Sequence, residues 1–149
     1  MTDGRNDSAP ADFEAVRNVE PFTLPIEAIQ PSQLYLNGRK LALVTEWFDF
    51  AEPNYDPLPV RRVTQERGDE TWMLTDGHTR AFVAHLAGAD KLRVVRDTDD
   101  LSMGVYRQCV EWCEDEGVTE VGDLAGRVLN ADEFEARWVE RCQEIESDE

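Results

Sequence analysis

The chain has 149 residues, enough for one domain with a core of its own and too few for two comfortable ones. Its 32 acidic against 15 basic residues leave a formal net charge of −17, which argues against general nucleic-acid or anionic-membrane binding, since both need basic surface. Lys40 and Lys91 are the sole lysines, and so many carboxylates with so little lysine suit a high-salt cytosol, where screening relaxes self-repulsion. Three cysteines, no apolar leader and no apolar run of spanning length lead us to expect a soluble, cytoplasmic protein with reduced thiols.

In chain order, the polar segment 1–20 reads as disordered. Phe22 to Ile29 reads as a strand interrupted by Pro25, hence at a sheet edge. Asn37-Gly38 starts a helix over Arg39 to Phe48, with Leu41, Val44 and Phe48 on one stripe and Trp47 beside them. A proline-rich loop, 49–59, leads to a strand at Val60 to Val63. Gly68-Asp69 then suits a hairpin into a strand at Trp72 to Thr75. Asp76-Gly77 breaks that strand, and a helix runs from Thr79 to Ala87, with Phe82 and Leu86 on its apolar face and Gly88 as its stop. Leu92 to Val95 is a further strand. A helix from Leu101 to about Glu116 buries Val105, Cys109 and Trp112, and Thr119 to Leu129 reads as a short helix. Asn130 to Glu133 is a capping box for a last helix, Ala131 to about Glu144. The expected class is α+β: a small mixed sheet with flanking helices over 21–98, then a helical extension over 99–145 packed on it, and a tail at 146–149.

The polar cluster Asp76-Gly77-His78-Thr79-Arg80 falls where a strand hands over to a helix N-terminus. Unpaired N–H groups and the positive end of the helix dipole favour an anion there. Gly77 allows close backbone approach, Arg80 offers a planar fork for phosphate or carboxylate, and His78 changes charge near neutral pH. The competing reading is an Asx-turn with an ordinary helix cap and Arg80 in a salt bridge.

LPIEAIQPSQ, a helix, LPVRRV and LTDGHTRAFVAHLAGADKLRVV together resemble the ParB-like/sulfiredoxin-like superfamily over residues 22–97. In that family a strand–turn–helix motif of the form G-x-x-R binds nucleotide phosphates. The resemblance implies a phosphate cradle from Gly77, His78, Thr79 and Arg80, with Asp76 as a Mg²⁺ ligand or base, as in relatives that act as small-molecule kinases. Asp76 and His78 are then the catalytic candidates. Glu46, Arg61 and Arg62 are secondary ones, Glu46 standing in for an acidic residue the partition proteins favour where this chain has Lys40. The implied cofactor is a nucleotide (ATP, ADP or CTP) with Mg²⁺, and the implied partner a small-molecule acceptor.

The chain departs from the family in two places. His78 stands where sulfiredoxins carry their catalytic Cys, which removes the sulfinic-acid reductase chemistry. Residues 101–149 hold 14 acidic residues and four arginines, where the partition proteins have a DNA-binding region, so DNA binding and nuclease action are disfavoured. A non-catalytic module that binds nucleotide or protein is the alternative. Cys109, Cys113 and Cys142 fit the apolar pattern as core thiols, and no zinc is expected. Asp97, Asp99 and Asp100 could bind Mg²⁺, but helix capping accounts for them more simply, and the tryptophans read as core. His85 reads as a packing residue. No P-loop sequence is present.

Overall fold

The computed structural model describes residues 20–49, 51, 54–64 and 68–148. The expected disordered segment 1–20 therefore lies outside the described residues except for Glu20. Five strands form a mixed sheet: β1 (Phe22–Pro25), β2 (Ile29–Gln30), β4 (Leu58–Thr64), β5 (Glu70–Leu74) and β6 (Lys91–Arg96), in the order β1-β6-β4-β5-β2. β3 (Leu36–Asn37) and β7 (Val128–Leu129) make a separate parallel pair. The helices are α1 (Gly38–Trp47), α2 (His78–Leu86), α3 (Met103–Asp115), α4 (Ala131–Phe134) and α5 (Glu140–Asp148), the last two joined by a π-helical turn, Glu135–Val139. The class is α+β, a mixed sheet with flanking helices and a helical C-terminal part.

Pro25 ends β1 at one edge of the sheet, as a residue without an N–H should. The single strand expected over Phe22 to Ile29 is in fact two. A 3-10 turn, Ile26–Ala28, carries the chain from β1 at one edge to β2 at the other. The link from Pro25 to Ile29 can span at most about 14 Å, whereas five flat strands would separate the edges by about 19 Å. The sheet is therefore curled. Phe22 of β1 and Trp72 of β5 meet across the curl, ring centroids 5.4 Å apart.

One sheet face, carrying Leu58, Val60, Leu74, Leu92 and Val94, joins the main core with Phe82 and Val83 of α2 and Val44 of α1. The other face presents Val63 and Met73 to Val110 of α3, with Met103 and Tyr106 alongside. α3 serves both cores because 103, 106 and 110 form one helical stripe while Val105, Cys109 and Cys113 form another. Asn37 caps α1, its side chain accepting from the Arg39 and Lys40 N–H groups, and Asn130 caps α4 by accepting from Glu133 N–H at 2.8 Å.

Three further expectations are corrected. Thr119 to Leu129 is not a helix: a 3-10 turn, Val121–Leu124, is followed by β7, which pairs with β3. Leu86 and Trp47 are surface residues, 59% and 46% exposed. The last helical segment runs on to Asp148 rather than stopping near Glu144. No helix among the described residues is long and apolar enough to cross a membrane.

Candidate functional site

The turn between β5 and α2 is built around Gly77. It takes the left-handed conformation (φ 81°, ψ 24°) and occupies the N-cap position of α2 without a side-chain cap. A Cβ there would stand 2.7 Å from Arg80 Nη2 and 2.8 Å from Leu58 Cδ2, so the guanidinium lies directly over the glycine. Among the described residues Arg80 makes no ion pair. The first-turn N–H groups of α2 and one charged fork thus share a small volume, an arrangement that favours an anion. Asp76 is exposed beside it.

His78, expected to bind phosphate or to act as acid or base, is placed inside the fold, in a hydrogen bond to the backbone. Its ring is only 4% exposed, and Nε2 accepts the backbone N–H of Ser32 at 3.0 Å. The ring proton therefore belongs on Nδ1. Burial, opposed by the charge of Asp76 and aided by Lys40, lowers the His78 pKa from its usual value to about 4. Ser32 in turn donates through Oγ to the Leu74 carbonyl at 2.7 Å. The pair fastens the segment after β2 to the β5–α2 turn. Gly77 and Thr79 are buried as well, so Asp76 and the partly exposed Arg80 form the outward part of the motif.

Next to the turn, at the carboxyl ends of β5 and β6, lies a cleft of about 450 Å³. Asp76 lines it, together with Thr75, Arg96, Asp97, Asp99 and Tyr106, whereas Gly77 to Arg80 do not. Asp97 is held on both oxygens: Oδ2 accepts from Thr75 Oγ1 at 2.6 Å and Oδ1 from the Asp99 N–H at 2.9 Å. Tyr106 donates a long 3.4 Å bond to the Thr75 carbonyl. Burial and the charges of Asp97 and Asp76 push its phenol above the ordinary pKa.

The secondary candidates are placed elsewhere. Arg61 reaches the Asp97 carbonyl through Nη2 at 2.7 Å and the Asp99 carbonyl at 2.7 Å, and so anchors the cleft wall. Arg62 pairs with Glu70 at 2.6 Å and lies over the Trp72 ring at 5.3 Å. Both guanidinium groups are thus engaged with the protein itself. Glu46 is exposed on α1, and it is Lys40, roughly 9 Å back along that helix by its rise, whose charge reaches His78.

Sequence reasoning did not pick out Thr75 and Tyr106, and for Asp97 it preferred helix capping to Mg²⁺ binding. One signal was present: Asp97 directly follows β6, and ligands of open α/β sheets gather beyond the carboxyl ends of strands. Among the described residues no group of three His, Cys, Asp or Glu side chains is set to hold a metal ion. Magnesium commonly takes one or two carboxylates and completes its shell with phosphate and water, so exposed Asp76 fits that role without a protein cage.

No protein-family model matches the chain, and no curated protein matches it. Among solved structures it is similar to protein Atu1540 from Agrobacterium tumefaciens, with 13% identity and a TM-score of 0.40 over 75% of this chain. The chain spans 62% of the length of that protein. Nothing about function passes from one to the other at that level of likeness.

Proposed function

We propose that the Asp76–Arg80 turn binds the phosphate group of a nucleotide, in the manner of the ParB-like superfamily that its sequence resembles. The observation that carries this reading is the pairing of left-handed Gly77 at the uncapped start of α2 with the Arg80 guanidinium over it. Asp76 would hold Mg²⁺ against the phosphates, where the cation lowers the charge of the transferred group. An acceptor molecule would occupy the adjacent cleft, beside Asp76 and Tyr106. Phosphoryl transfer asks mainly for positioning and charge neutralisation, which such a site can supply. A cytoplasmic setting agrees with three reduced thiols.

A second reading is nucleotide binding without turnover, as a regulatory module. It is favoured by the engagement of the obvious bases: His78 is buried and bonded, and both oxygens of Asp97 are occupied.

A thermal-shift series with ATP, ADP, CTP and GTP, each with and without Mg²⁺ in KCl buffer, tests binding. A nucleotide at a hundred times its Kd adds about 2.7 kcal/mol of stability. Arg80→Gln should remove that shift while the apo Tm stays close to wild type. If no nucleotide shifts the wild type, the phosphate reading is wrong. If one does and no phosphate is released or transferred, the regulatory reading stands.

A further inference from the structure

The outer face of α1 is unusual for a helix surface. The core buries Val44, while Lys40, Leu43 and Trp47 recur at i, i+3 and i+7 on a stripe turned to solvent. Leu43 is 54% exposed and Trp47 46%. Arg39 and Lys40 put two positive charges in the first turn, where the helix dipole opposes them. Among the described residues neither has a carboxylate partner, although the chain carries a net charge of −17. At the other end of the helix, exposed Glu46 beside Trp47 has no cationic partner among those residues either. Apolar and charged groups thus stand ready on one helix face with nothing described on top of them.

We propose that the chain's own residues 12–19 dock on this face of α1. Their sequence is Asp12-Phe13-Glu14-Ala15-Val16-Arg17-Asn18-Val19, and they precede the first described residue, Glu20. Laid parallel to α1, Asp12 and Glu14 meet Arg39 and Lys40, Phe13 and Val16 meet Leu43 and Trp47, and Arg17 meets Glu46. The order minus, minus, plus in the segment faces plus, plus, minus on the helix. Each cation of α1 then gains the carboxylate that the rest of the fold does not supply, and the two exposed apolar side chains gain cover.

The segment enters the fold within reach of the face. Thr23 of β1 pairs with Arg93 of β6, whose N–H donates to the Tyr55 hydroxyl at 3.0 Å. The Tyr55 ring stacks on Phe48 at 6.0 Å, and the Phe48 and Trp47 rings are 6.1 Å apart. Followed through these contacts, Thr23 is no more than about 25 Å from the Trp47 ring. The stretch from Phe13 to Thr23 can extend about 33 Å. A tethered segment acts at an effective concentration of about a millimolar, so even a weak contact is occupied. A second copy is the poorer occupant, because it brings another −17 charge against this one. This inference uses no residue of the phosphate reading, and either can fail alone.

Isotope-labelled full-length protein is examined by NMR in low-salt KCl buffer, with the Trp47 indole signal assigned through Trp47→Phe. Nuclear Overhauser contacts should join the Phe13 ring and Val16 methyls to Leu43 and Trp47. Phe13→Ser with Val16→Ser, in the full chain, should abolish them and shift the amide signals over 39–47, with the sheet signals unmoved. Arg39→Glu with Lys40→Glu should also lose the contacts, and adding Asp12→Lys with Glu14→Lys should restore them. The wild-type measurement stands by itself if a variant fails to fold. Absence of contacts between residues 12–19 and α1 in the wild type overturns the proposal. So does an α1 face whose signals move with protein concentration but not with the Phe13 and Val16 substitutions, which would make a second copy the occupant. A charge reversal that leaves the contacts intact overturns the pairing of the charges.

Discussion

The backbone N–H of Ser32 donates to Nε2 of His78 at 3.0 Å, a contact between residues 46 apart in sequence. It requires an unprotonated Nε2, so the folded protein holds His78 neutral, burial lowering its pKa to about 4 from the ordinary 6.5. A depressed histidine pKa means that the unfolded chain binds the proton more readily. The contribution to stability is whole above the unfolded value of 6.5 and is lost as pH falls toward 4. Over that window the loss is at most about 3 kcal/mol. His78→Asn keeps an acceptor and removes the titration. Urea unfolding at intervals between neutral pH and the carboxylate range should therefore give a shallower pH slope for this variant than for wild type, the carboxylate background being common to both. Parallel slopes would show that His78 is not held neutral.

Arg61 and Arg62 are adjacent on β4 and point to opposite faces of the sheet, and their removal should cost different amounts. Arg61 donates to the Asp97 and Asp99 carbonyls and sits at the root of the cleft wall. Arg61→Ala should cost about 2 kcal/mol in urea unfolding, because partly buried carbonyls lose a charged donor. Arg61→Lys should recover little of it, since an ammonium cannot reproduce the fork. Arg62 pairs with Glu70 where both side chains are about half exposed, at 51% and 57%. Arg62→Ala should then cost no more than about 1 kcal/mol, its stacking on Trp72 included. Equal losses would contradict this division of labour.

Local backbone chemistry was legible in the sequence. Asn37, Asn130 and Gly77 each do what their own side chain, or the lack of one, dictates within a few residues. The strand–turn–helix around Asp76 to Arg80 follows from the same logic, and the mixed sheet with later helices follows from periodicity. Non-local pairing was not legible. Val121 and Leu124 have helical spacing, yet Gly126 takes a left-handed φ of 82° and Val128 finds Leu36 as a strand partner. Likewise nothing near His78 announces Ser32, and nothing near Pro25 announces that the next strand lies across a curled sheet. The outward or inward sense of Trp47 and Leu86 depends on which neighbours happen to cover them, and periodicity alone cannot supply that.

Gly77→Ala probes the turn itself. The added methyl meets Arg80 Nη2 at 2.7 Å and Leu58 Cδ2 at 2.8 Å, and it also forces an L side chain to a φ of 81°. The strain costs about 1–2 kcal/mol, and the guanidinium has to leave the glycine. We expect a lower Tm in the apo protein together with loss of any nucleotide-induced shift. Arg80→Gln is the comparison, losing the shift at an unchanged apo Tm. A Gly77→Ala protein that melts like wild type would mean that the turn is more forgiving than its contacts indicate.

The net charge of −17 makes stability depend on salt. Carboxylates spread over the surface repel one another in the compact state, and the Debye length falls from about 10 Å at 0.1 M to about 3 Å at 1 M salt. Described residues supply few favourable pairs to offset this, such as Arg62–Glu70 and Arg127–Glu116. Raising KCl from 0.1 to 1 M should increase Tm by several degrees, NaCl should act alike, and an uncharged osmolyte should leave the salt dependence in place. The acidic C-terminal part offers an internal control. Replacing exposed Glu111, Asp115 and Glu135 by their amides lowers the repulsion without touching the core. That variant should melt higher than wild type at 0.1 M KCl and converge with it at 1 M. A Tm that ignores KCl in the wild type would show that self-repulsion is not a significant term in this fold.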